Sequence, residues 1–271
     1  MRKKVIILLI IAITIIIATI TICYTIRESK SSLVAGNDNA GKIKTEENKK
    51  IANTIENKEI YSKNYTDEEY KNLPINYTSA SYAYDTSSPE KATGVADYSF
   101  VAKIKGVIRT EYRNPAPAVH DGVEVTVYDP YTVYDVEIIE NIKGELDKSK
   151  NIELVLHGGV SEDGKSCSFL EGLDFLNVGE YYILLPYTAT DGRLGISNRT
   201  SIVSLGNLSE TEANLINTVE TLSTYNTDTK ENSRNSYTDT IKAYINAEKN
   251  SVVPEGKELV KSQIYDAEVN K

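Results

Sequence analysis

Residues 5–26 form a charge-free apolar run, broken only by threonines such as Thr14 and Thr19 whose hydroxyls can bond the backbone one turn back. At about 1.5 Å per residue, some 20 apolar residues cross the ~30 Å hydrocarbon core, so the pattern predicts a transmembrane helix. Arg2, Lys3 and Lys4 precede the run, and the chain turns acidic soon after it. That asymmetry places residues 1–4 in the cytoplasm and the C-terminal bulk outside the cell. A cleaved signal would have a shorter apolar stretch with a small-x-small site directly after it. The nearest such site, at Ser29 and Ser31, lies beyond Arg27 and Glu28. A lipoprotein cysteine needs a small residue before it, and Ile22 precedes Cys23.

From 27 to 88 apolar positions are sparse, which reads as a polar spacer with short helices. Thr66 with Glu69 forms a capping-box pattern that Pro74 would end. Tyr77, Tyr82 and Tyr84 either cover the edge of the following domain or offer an aromatic contact surface.

The pattern changes over 89–208, where β-branched and aromatic residues come in short runs between Gly, Asp, Asn and Pro. Strands are expected at 98–109, 123–128, 132–141, 152–157 and 181–187, with a shorter pair around Leu194 and Ile202. Tyr134, Val136 and Ile138 alternate with Asp135 and Glu137, giving one buried and one wet face. Ile152, Leu154 and Leu156 share a face, and Val155 opposite them implies burial on both sides. Tight turns are expected at 141–144, 162–164 and Asp191 with Gly192. The fold class is therefore mainly β: a small antiparallel barrel. Ser209 and Glu212 form a capping box opening a docked helix at 209–225, and 226–271 reads as a polar, mostly mobile tail with one helix at 239–250.

The net charge of −9 disfavours nucleic acid as a partner. Cys167 is the one thiol outside the apolar run, so no internal disulfide can form and stability must come from packing. With 19 tyrosines, no tryptophan, and recurrent Lys, Asn and Ile, the composition resembles that of exported proteins of low-GC Gram-positive bacteria.

Three segments carry a family resemblance: 96–104 with its Ala-Asp-Tyr opening, 134–144 ending in Lys143 and Gly144, and 178–185 with Gly179, Glu180 and Tyr181. Together they resemble the netrin and tissue-inhibitor-of-metalloproteinase type of OB barrel, as found in exported Gram-positive proteins of unassigned function. The resemblance implies a five-stranded OB-like barrel. It does not bring the inhibitory mechanism, which uses an N-terminal cysteine and disulfides that this chain lacks.

No catalytic motif stands out. His120 and His157 are the only histidines, and neither a zinc-binding helix motif nor a serine-nucleophile elbow accompanies them. The Asp-Gly pairs lack the alternating oxygen ligands of a calcium loop. No cofactor is expected. The segment 113–122, between the first two strands, is long for such a barrel. With Arg113, Asn114, His120 and Asp121, it is either a contact loop or a tolerated insertion. The leading expectation is a single-pass, membrane-anchored extracellular module that binds another envelope protein or component without catalysis. The first alternative is an envelope enzyme that uses His157 with Ser166 or Cys167, which requires those groups to converge in a pocket. The second is a structural or sporulation-associated envelope protein.

Overall fold

The structure, a computed structural model, describes residues 61–65, 70, 72–216 and 235–269. The apolar run 5–26 lies outside them, and among the described residues no helix is long and apolar enough to cross a membrane. The described chain is mainly β, with 43% strand and few helices.

Strands β1 (Tyr61–Lys63) and β2 (Ile75–Thr78) come first, then helix α1 (Pro89–Val95). Ser88 caps α1 and Pro89 opens its first turn, a start signal outside the expected elements. Next come β3 (Ser99–His120), β4 (Val123–Lys143), β5 (Ile152–Val160), β6 (Cys167–Leu170), β7 (Tyr181–Leu184), β8 (Tyr187–Thr188), β9 (Leu194–Ile196) and β10 (Ile202–Gly206). Helices α2 (Glu210–Ile216) and α3 (Asn235–Asn250) follow. The Ser209 and Glu212 box forms as expected, with the Ser209 amide donating to Glu212 Oε2 at 2.8 Å. The rest of the helix expected to 225 lies outside the described residues, whereas α3 begins four residues before its expected start.

The strands form one open sheet with the main path β10-β7-β3-β4-β5-β6-β2, while β1 pairs with β3, and β9 pairs with both β5 and β8. The sheet is mixed rather than purely antiparallel, because β2 runs parallel to β6 and β9 parallel to β5. The alternation in β4 is realised: Tyr134, Val136 and Ile138 enter the main core with Phe100, Ile104, Leu154, Leu156 and Phe169. Val155 is buried on the opposite face against Tyr131 and Val133, as its neighbours implied. A second cluster forms where α1, α2 and α3 cover the outer face of β3 and β7 around Val101, Ile183, Ile216 and Ile241.

Two segments differ from expectation. The polar spacer supplies β1 and β2 to the sheet, and Tyr70 is buried with its ring stacked on Phe175 at 4.3 Å. Backbone pairing and a single aromatic anchor hold this stretch, and neither leaves an apolar pattern in the sequence. The expected mobile tail is also tied down over 251–269. Tyr98 donates to Asp266 Oδ2 at 2.6 Å, the Ser262 amide donates to the Tyr98 hydroxyl at 2.8 Å, and Ser262 Oγ donates to the Gly192 carbonyl at 2.6 Å. Asp97 accepts from Lys257 Nζ at 2.6 Å and from the Thr188 amide at 2.7 Å. Buried hydrogen bonds thus do here what apolar area does elsewhere.

Candidate binding groove

The segment 113–122 is not a loop. Strands β3 and β4 continue through it as a two-stranded arm that ends in a two-residue turn. Asp121 (φ 50°) and Gly122 (φ 78°) both adopt the left-handed region that such a hairpin turn requires. A bulge on β3 between Arg113 and Ala116 offsets the register, and Asn114 takes a φ of 54° there. Its Nδ2 donates to Asp129 Oδ2 and to the Tyr131 hydroxyl, both at 3.0 Å, which holds the bulge against β4.

Beyond the bulge the pairs Ala116 with Val127, Ala118 with Val125 and His120 with Val123 share one face of the ribbon. That face is apolar but not buried: Val123 is 62% and Val127 46% exposed, and Val119 on the other face is 71% exposed. Exposed apolar groups clustered in this way mark a contact surface more often than a solvated one.

A groove lies beside the arm because the sheet forks there. Pairing of β4 with β5 begins at Tyr131 opposite Gly158, and 123–130 of β4 diverges from the β5–β6 hairpin. Gly158 permits the fork: its φ is 133°, and a Cβ there would sit 2.2 Å from the Phe169 ring. The groove measures about 660 Å³, and its lining includes Val125, Val127, Asp129, Glu162, Asp163 and Ser166. Lys63 also faces it, with its ammonium donating to the Glu162 carbonyl at 2.5 Å and lying 5.7 Å from the Tyr112 ring centroid.

Charge anchors the base of the arm. Arg109 forms a fork onto Glu153 at 2.8 and 2.7 Å and also donates to Glu111 at 2.7 Å. Arg193 donates to Glu111 Oε1 at 2.7 Å and to Asp191 Oδ2 at 2.6 Å, and Arg113 donates to Glu111 Oε2. Burial alone would raise the Glu111 carboxyl, but the Arg193 and Arg113 guanidiniums outweigh it and hold it down at about 2. Arg113 lies over the Tyr131 ring at 4.9 Å, and the other ring contact of Tyr131 is a stack with His157 at 4.4 Å. Burial lowers His157, favouring its neutral form.

The named candidate residues therefore separate by role. Arg113 and Asn114 fix the root of the arm, and His120 and Asp121 sit at its tip, with side chains 83% and 92% exposed. Of the residues named for an enzyme, Ser166 lines the groove and pairs with the Ser161 hydroxyl at 3.0 Å. His157 belongs with Tyr131 in the outer cluster, whereas Cys167 is in the main core and burial pushes its thiol up to about 11. The structure does not bring these three groups into one pocket. The strand expected at 123–128 is the outgoing half of the arm, whereas its incoming half reads as a loop, although Asp121 and Gly122 beside alternating Val123, Val125 and Val127 are a hairpin signal; the turn expected at 162–164 forms part of the groove wall. Pro115, Pro117 and Pro130 give the stretch the composition of a loop. No protein-family model matches the chain, and no curated protein matches it.

Proposed function

We propose that this chain is a single-pass membrane protein whose OB-like barrel is displayed outside the cell as a binding module without catalytic activity, with the arm and its groove as the contact surface. The observation that carries the reading is the arm itself: a two-stranded ribbon rooted in an ion network yet presenting its valines to solvent. A ribbon with no contact to make would more commonly carry polar residues on both faces.

The barrel part of the reading is supported by the branch of the sheet. Strand β9 runs parallel to β5 and antiparallel to β8, and β8 follows β7 across Leu185 and Pro186. The pairings β7 with β3, β3 with β4, β4 with β5, β5 with β9 and β9 with β8 run in series, and the chain itself, across Leu185 and Pro186, links β8 back to β7; this order supports reading the open sheet as an OB-like barrel of the netrin type. The anchor and its orientation rest on the 5–26 run and its basic flank.

The test compares the full chain with a Val125→Asp, Val127→Asp double variant for association with native Gram-positive cell envelopes. The expected result is association that the variant loses while its melting temperature stays within about 2 °C. Equal association of both forms would reject the arm as the contact surface.

A further inference from the structure

Resting on the binding-module reading above, we propose that the unpaired edge of β4 over 123–127 receives a separate extended peptide in which lysine or arginine alternates with small apolar residues. The peptide would add to the sheet as a further strand in the fork between β4 and the β5–β6 hairpin.

Three features of the fork argue for this. First, 123–127 pairs with β3 on one side, and among the described residues no strand pairs with it on the other. Its backbone amides and carbonyls are therefore placed to form a ladder. Second, the two edges of the arm are treated differently. The β3 edge carries Pro115 and Pro117, which lack amide protons and blunt strand addition, while 123–127 carries none. The closed edge and the open edge belong to the same ribbon, so the openness of β4 is specific to the groove side.

Third, the groove wall has a sign. Asp129, Glu162 and Asp163 line it, and among the described residues the basic side chains lining it are Lys63, which already donates to the Glu162 carbonyl, and His120 at the tip of the arm. Valines and alanines of the arm suit small apolar side chains, and the carboxylates suit cationic ones on the alternate face of the incoming strand. The same charges disfavour a second copy of this chain, since an approaching arm would bring Asp121 and Glu124 against an acidic wall in a protein of net charge −9.

The experiment titrates the full chain with a short synthetic peptide alternating lysine and valine, followed by fluorescence anisotropy. Three comparison peptides are used: glutamate in place of lysine, N-methylation at alternate residues in one register, and N-methylation in the other. Binding should be lost with glutamate and in one N-methylated register. It should also weaken at least roughly tenfold in a Glu162→Lys, Asp163→Lys variant. A milder Glu162→Gln, Asp163→Asn pair gives a smaller loss in the same direction and serves if the reversal impairs folding. Absence of binding, indifference to N-methylation in both registers, or self-association that depends on Val125 in sedimentation would each overturn the proposal. If the peptide fails while envelope association still depends on Val125 and Val127, the binding-module reading stands and the strand-addition proposal falls.

Discussion

Glu111 is the residue on which the base of the arm turns. It is 4% exposed, and the guanidiniums of Arg109, Arg113 and Arg193 all donate to it. Replacing it by glutamine leaves three buried or half-buried cations sharing two carboxylates, and a loss of about 3 to 5 kcal/mol in urea unfolding is expected. Its pH behaviour follows from the direction of its shift. The folded carboxyl titrates at about 2, below the ordinary glutamate value of 4.5, so its contribution is complete above about pH 4.5 and disappears as pH falls toward 2. That contribution is about 3 kcal/mol, and Glu153 and Asp191, lowered in the same direction, add to the same acid limb. Stability measured across pH 2 to 5 should show this limb in the native chain and a flatter one in Glu111→Gln. None of this was readable beforehand, because Arg109, Glu111, Glu153 and Arg193 meet only after the strands carrying them are folded together.

Among the elements, the arm and the C-terminal segment show where the pattern of the sequence informs and where it stops. Strands with an apolar alternation toward the core, such as β4 around Tyr134 and β5 around Leu154, were visible because burial imposes a period of two. The arm has the same period without burial, and its prolines, tolerated on free edges, mimic the composition of a loop. A Gly122→Val substitution tests whether the turn holds this register: a β-branched residue at a φ of 78° costs about 1 to 3 kcal/mol locally. Amide hydrogen exchange over 113–127 should quicken while the core strands keep their protection. The C-terminal segment was hidden for another reason, since its attachment uses Ser262, Asp266 and Lys257, residues that sequence statistics assign to the surface. Truncation after residue 256 removes both hydrogen bonds of the buried Tyr98 hydroxyl. It should lower stability by about 3 kcal/mol in thermal or denaturant unfolding, where a mobile tail would leave stability unchanged.

For the molecule as a whole, the proposed anchor at 5–26 and the β-sheet region are separable in experiment. Full-length protein expressed in a Gram-positive host should remain with membranes through alkaline extraction, and a form lacking residues 1–26 should be released into the soluble fraction. Protease added to intact cells with the wall removed should digest the C-terminal part of the full-length protein. The sheet itself is joined from both sides in sequence: β1 and β2 pair into it from before its first long strand, and 251–269 returns to the start of that strand from 168 residues away. Synthesis runs from the first residue to the last, so the hydrogen bonds of Tyr98 cannot form until Ser262 and Asp266 have been made. A product that ends before residue 262 therefore lacks both partners of the Tyr98 hydroxyl. Docking of the 262–266 segment on Tyr98 is therefore a late step that joins the two most distant parts of the described sheet region.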